Sequence, residues 1–181
     1  MAISGRIMSA ALLFAAALAP CGAATVSVMV VEEGLAPKAA EPEASSAWES
    51  GIMDALFDAG HIVCNAPVFR VAPEADRPGS SWNPTDRDIA DAVEGGVAYL
   101  FVAYLEYEAA DGKDAAAVPG KTNPAIRPSP RRAGLRVYSL DPFALVEETK
   151  PKALDRTESG AEDQNQARAM ARGLIQRLKD R

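Results

Sequence analysis

The stretch 97-VAYLFVAYLEY-107 decides how this chain folds. Its apolar run is nearly continuous and carries no charge before Glu106. A strand covered on one face would alternate apolar and polar residues, so this one belongs at the centre of a sheet with both faces occupied. Directly before it, Gly95-Gly96 closes a helix predicted to begin at Asn83-Pro84, an N-cap followed by proline at the first helical position. Asp86 falls in the first turn of that helix, where a negative charge suits the helix dipole.

A helix feeding a buried strand is half of a crossover unit, and the same pattern occurs upstream. Thr25 to Val31 (TVSVMVV) is rich in β-branched residues and reads as a buried first strand. A proline-containing loop, 34–45, leads to Ser46, the predicted N-cap of a helix with Trp48, Ile52 and Leu56 along one stripe, widened by Met53 and Phe57. Gly60 stops this helix, and His61 to Val71 (HIVCNAPVFRV) follows as a second strand whose central part Pro67 bulges or ends. A loop over 72–82 then delivers the chain to the second helix.

Beyond the central strand, residues 109–130 are a low-complexity run of Ala, Gly, Lys and Pro without apolar period, which predicts a mobile loop. Gly134–Leu140 and Leu145–Thr149 form a hairpin around Asp141-Pro142. From about Glu162 a closing helix places Ala167, Met170, Ala171, Leu174 and Leu178 on one face. The predicted order is therefore β-α-β-α-β-β-β-α. This is an α/β fold with one mixed sheet of about five strands, the first three parallel and the last hairpin antiparallel, with helices packed on it.

Residues 1–24 read as a secretory signal: Arg6, then an apolar stretch from Ile7 to Leu18 that is short for a membrane span, then Gly22 and Ala24 at the −3 and −1 positions for cleavage before Thr25. A competing reading takes Leu18-Ala19-Pro20-Cys21 as a lipoprotein box, with Cys21 acylated and the protein tethered to a membrane. A third makes 7–19 an N-terminal core helix. On the first two readings the protein is exported and periplasmic, and it meets a membrane only if Cys21 is lipidated. Taking 24 residues from 181 leaves 157, a single domain over 25–181, and loss of Arg6 moves the formal net charge from −6 to −7. An acidic domain without a basic cluster has little electrostatic reason to bind nucleic acid or an anionic membrane surface.

The residues that could carry chemistry are few. His61 is the only histidine and stands at a helix-to-strand junction without a G-x-S-x-G elbow, so it reads as structural. Cys64 lies in an apolar run and reads as a small buried hydrophobe; with one histidine and one such thiol there is no zinc pattern, and no metal or cofactor is expected. Gly120-Lys121-Thr122 lacks the earlier glycine of a phosphate loop, which falls on Ala115, and Pro124 follows where a helix should start. Asp111 to Asp114 lacks the later ligands of a calcium loop. Carboxylates at Glu106 and Glu108, and at Glu147 and Glu148, admit a paired-acid polysaccharide hydrolase, against the plainer reading of solvated strand faces.

Topology supplies what motifs do not. If the first three strands are parallel, the loops leaving them, 34–45, 72–82 and 109–130, emerge at one edge, joined by 150–160, while the returns at Gly60-His61 and Gly95-Gly96 are minimal. Long loops at the carboxyl ends of parallel strands are the usual binding edge of α/β domains. Trp82 is the candidate aromatic anchor there, and Arg127, Arg131 and Arg132 are the candidate polar contacts.

Four segments together carry a family resemblance: the junction Ala55–Val63 (ALFDAGHIV), the stretch Asp88–Val102 (DIADAVEGGVAYLFV), the hairpin Leu135–Thr149 and the closing helix. In their order they resemble the periplasmic α/β family that includes LpoB-type activators of penicillin-binding proteins, CsgG-type secretion proteins and the N-terminal domain of TolB. The resemblance implies a non-enzymatic adaptor of the cell envelope that regulates or scaffolds a protein partner. An exported hydrolase and a small-ligand carrier are the alternatives.

Overall fold

The computed structural model describes residues 23–35, 43–71, 86–107, 129–155, 157 and 159–180. Its elements, in order, are β1 (Thr25–Glu33), α1 (Glu43–Asp58), β2 (Ile62–Asn65), β3 (Phe69–Val71), α2 (Asp86–Glu94), β4 (Tyr99–Tyr107), β5 (Pro130–Leu140), β6 (Phe143–Ala153) and α3 (Gly160–Lys179). They build one six-stranded sheet in the order β2-β1-β4-β5-β6, with β3 also paired to β1. β1 to β4 run parallel, and β5 and β6 continue antiparallel. The fold is α/β with a mixed sheet, as the crossover pattern predicts.

The sixth strand comes from Pro67. Val28 pairs with Asn65 and Val31 with Phe69, so the segment between leaves the ladder after the Ala66 N–H donates to the Val28 carbonyl at 2.7 Å. Proline has no N–H to give a parallel ladder, and one predicted strand becomes two in line along the same side of β1.

Each face of the sheet packs a different helix set. Val26, Val28 and Val30 of β1, Phe101, Ala103 and Leu105 of β4, and Leu135 and Val137 of β5 meet Trp48, Ile52 and Leu56 of α1 and Ala167, Ala171 and Leu174 of α3. On the opposite face Met29, Val31, Leu100, Val102, Tyr104, Tyr138 and Leu140 form a smaller cluster against which Ala92 of α2 packs. β4 is buried from Leu100 to Leu105, the two-sided burial that its continuous apolar run demands.

The start of α1 differs from the sequence reading, and the Asn83-Pro84 start expected for α2 lies outside the described residues. Ser46 is not the N-cap of α1, which begins at Glu43 with Ala44 and Ser45 already buried. Ser45 is drawn inward by a tertiary hydrogen bond described below, which a local capping rule does not contain. α3 does start on a cap: Ser159, in extended conformation, accepts from the Glu162 N–H at 3.3 Å, and Glu162 stands where a capping box places its acid. The hairpin strands also reach beyond the predicted limits at both ends, to 130 and 153.

Candidate functional site

One row of residues crosses the sheet at the carboxyl end of its parallel strands: Val71, Glu33, Glu106, Arg132 and Ala153, each in register with the next. The connections 34–42, 72–85, 108–129 and 154–159 all leave or enter within a few residues of this row. The loop edge is therefore real as a meeting of strand ends. Arg131 and Arg132 open β5 there, both exposed. Arg132 pairs with Glu106 at 3.3 Å. Trp82, Arg127 and Cys21, together with Glu108 and the 111–122 segment, lie outside the described residues.

Beneath this row lies a cluster that the sequence reading did not single out. Glu32 has no exposed surface. Its Oε2 receives both Nε and Nη2 of Arg70 at 2.7 Å, and its Oε1 receives the Ser45 hydroxyl at 2.5 Å. Ser45 in turn meets the Tyr107 hydroxyl at 2.9 Å. The register Glu32 to Arg70 sets the pair side by side on β1 and β3, and Ser45 brings the first turn of α1, whose dipole favours a carboxylate, onto the same group. Each carboxylate oxygen has a partner, and the carboxylate itself does not reach solvent. Glu32 is thus a clamp tying β1, β3, α1 and β4 together below the loops, not a proton carrier for an outside substrate. Parity was the available signal: Glu32 shares its face with Val26, Val28 and Val30, so an acid at that position had to be buried.

Next to the clamp, Gly34 has φ +88°, and a Cβ there would stand 2.3 Å from the Tyr107 carbonyl oxygen. The chain leaves β1 pressed against the end of β4, which holds the loop roots together.

The candidate acids of β4 and β6 are not brought together. Glu106 lies on the α2 face of the sheet, while Glu147 is opposite Val137 on the α1–α3 face and pairs with Arg177 of α3 at 3.5 Å. A sheet stands between the two carboxylates, so they cannot flank one glycosidic bond. Glu148 shares the α2 face but is held by Arg136 at 3.4 Å. Arg136 also lies 4.9 Å over the ring of Tyr104 and donates to its hydroxyl at 3.3 Å. Burial, reinforced by the Tyr138 hydroxyl, pushes the Tyr104 phenol far above its usual range, so it stays neutral.

Of the other flagged residues, Cys64 is half-buried and its thiol points to the Val26 carbonyl at 3.6 Å. Among the described residues no group of three or more His, Cys, Asp and Glu could hold a metal ion, and no helix is long and apolar enough to cross a membrane. His61 is partly buried at the opposite edge from the loops, with Nδ1 enclosed and unbonded. Burial, with Lys179 nearby, lowers its pKa from 6.5. The folded state therefore binds a proton less readily than the unfolded chain. The stability tied to the neutral ring is complete above about pH 6.5 and declines as pH falls through the lower folded value. An NMR titration is expected to show a His61 midpoint below that of a free imidazole, and Lys179→Gln to return it only part of the way, because burial remains the larger cause. A midpoint unmoved from the free value would contradict this environment.

No family model and no curated protein match the chain. Two solved structures similar to it are PelC dodecamers from Paraburkholderia phytofirmans. One, a leucine-to-methionine variant, is 14% identical, covers 86% of this chain and 89% of its own, and has a TM-score of 0.46. The other is 15% identical, covers 88% and 89%, and has a TM-score of 0.45.

Proposed function

We propose that the chain is an exported, non-enzymatic cell-envelope module that binds a protein partner through the edge where its parallel strands end. The observation that carries this reading is the row from Val71 to Ala153, which gathers the roots of four long connections on one side of the sheet. A clamped base under long connections suits recognition, since binding residues concentrate on loops held by a rigid scaffold. Its candidate polar contacts are Arg131 and Arg132, and the sequence expectation adds Trp82 and Arg127, which lie outside the described residues. The resemblance to LpoB-, CsgG- and TolB-type domains supports the adaptor class. The separation of Glu106 from Glu147 speaks against the hydrolase built on that pair.

The test is photocrosslinking in envelope extract with a reactive amino acid at position 131 or, as a control away from the loops, at 176, exposed near the far end of α3. A discrete adduct from 131 that disappears when 109–130 is replaced by a short Gly-Ser link is the expected result. Adducts equally abundant from both positions, or none from 131 with folded protein, would remove the loop edge as the working surface.

A further inference from the structure

Among the described residues the exposed large hydrophobics are Phe57, Ile62, Val93, Phe143 and Leu145, with 74, 59, 48, 45 and 48% of their surface open. Single exposed apolar side chains are ordinary. Their placement is not, because four separate elements bring all five to the sheet edge opposite the loops. Phe57 and Val93 are in the last turns of α1 and α2, Ile62 opens β2, Phe143 opens β6 and Leu145 follows two residues later. A second row marks this edge. Ile62 is in register with Thr25; the Ala98 N–H donates to the Thr25 carbonyl at 2.9 Å, and the Leu140 N–H to the Ala98 carbonyl at 3.1 Å; Leu140 pairs with Phe143. Phe143 stacks on the buried Tyr138, with ring centroids 5.4 Å apart and planes 7° from parallel, and leaves its other side open.

Thr25, the first residue of β1, stands within this row, so the chain enters the domain through the same edge. Ahead of it come the apolar stretch Ile7–Leu18 and then Cys21. The four residues from Cys21 to Thr25 reach at most about 14 Å when extended, so a chain anchored by an acyl group on Cys21 holds this edge at the membrane surface. The nearby charges do not make it a basic patch. Asp58 accepts from both Arg168 at 2.6 Å and Arg172 at 2.8 Å, and the whole chain carries a formal charge of −6. What the edge offers a bilayer is apolar surface rather than cationic attraction.

We propose that Phe57, Ile62, Val93, Phe143 and Leu145 form a rim that seats the domain on a lipid bilayer, turning the loop edge away from the membrane. This goes beyond the loop-edge reading and does not depend on it. The test uses the full chain with a fluorescent amino acid at position 57, 143 or 145, and at 131 as the control, mixed with phosphatidylcholine vesicles brominated on their acyl chains. Expected is loss of most fluorescence at the rim positions and none at 131, unchanged by added salt or by phosphatidylglycerol. The double change Phe143→Ser with Leu145→Ser should relieve the loss at 57. Rim probes that keep their fluorescence, or a control quenched as strongly as the rim, would overturn the proposal. So would a spectral shift at the rim that follows protein concentration without vesicles, because a second copy would then be the occupant. Position 57, the most exposed, keeps the test open if a probe at 143 disturbs the stacked ring.

Discussion

Glu32→Ala is expected to lower stability by about 3–5 kcal/mol, the largest loss from any single polar change in the described structure. The substitution takes away the carboxylate that both the Arg70 guanidinium and the Ser45 hydroxyl bond. It leaves a guanidinium with 22% of its side chain exposed facing a space it cannot hydrate fully. For a domain of this size a loss of that order lowers the melting temperature by roughly 10 °C. A urea titration with an unchanged slope separates lost stability from a change in the unfolded chain.

The companion experiment replaces both partners. Glu32→Leu with Arg70→Leu removes the charges together and should recover a large part of the loss, because an apolar pair of similar volume removes the desolvation cost along with the ion pair. Ser45 and Tyr107 keep each other as partners at 2.9 Å, so the double change strands no hydroxyl. If the double variant is as unstable as the single one, the network contributes through something other than charge pairing. The result also bears on function, since the clamp sets where the chain leaves β1 and β3.

Central features of this architecture are legible in a few residues. The apolar run of β4 demands two covered faces, and Gly60 and Gly96, each with positive φ, end their helices immediately before strands. Short returns at one edge then force the long connections to the other. The start of α1 was not legible, because Ser45 answers to Glu32, thirteen residues earlier and on another element, rather than to the helix end a capping rule considers. Pro67 signalled an interruption but not its form: only the partner strand shows that both halves stay beside β1. Arg131 and Arg132 stand at the start of β5, beside the end of β4, a position that strand direction alone gives. The apolar rim escaped because the spacing of Met53 and Phe57 widens the core stripe of α1 on paper, whereas the buried stripe runs through Ala55 and Leu56 and Phe57, about 100° further round the helix, faces outward.

The same substitution at two glycines of the helical layer should move stability in opposite directions. Gly51 lies on α1 where α3 crosses, and a Cβ there would meet the Gln164 carbonyl oxygen at 2.3 Å and the Ala167 Cβ at 2.9 Å. The first obstacle is backbone, which no side-chain rotation relieves, so Gly51→Ala must push α3 off the sheet face or bend α1. Overpacking of this kind costs about 1–3 kcal/mol, and a backbone obstacle puts this case at the upper end. Gly173, in the interior of α3, would place its Cβ in open space with no heavy atom within 4 Å and has no positive φ to protect. There alanine only reduces the freedom of the unfolded chain and improves helix propensity, a gain of about 0.5–1 kcal/mol. Denaturation midpoints should therefore fall for Gly51→Ala and rise for Gly173→Ala. Helix propensity alone predicts a gain at both positions, so a loss confined to Gly51 isolates the approach of the two helix backbones. A gain at both would mean that α1 and α3 lie farther apart than the contact at Gln164 implies.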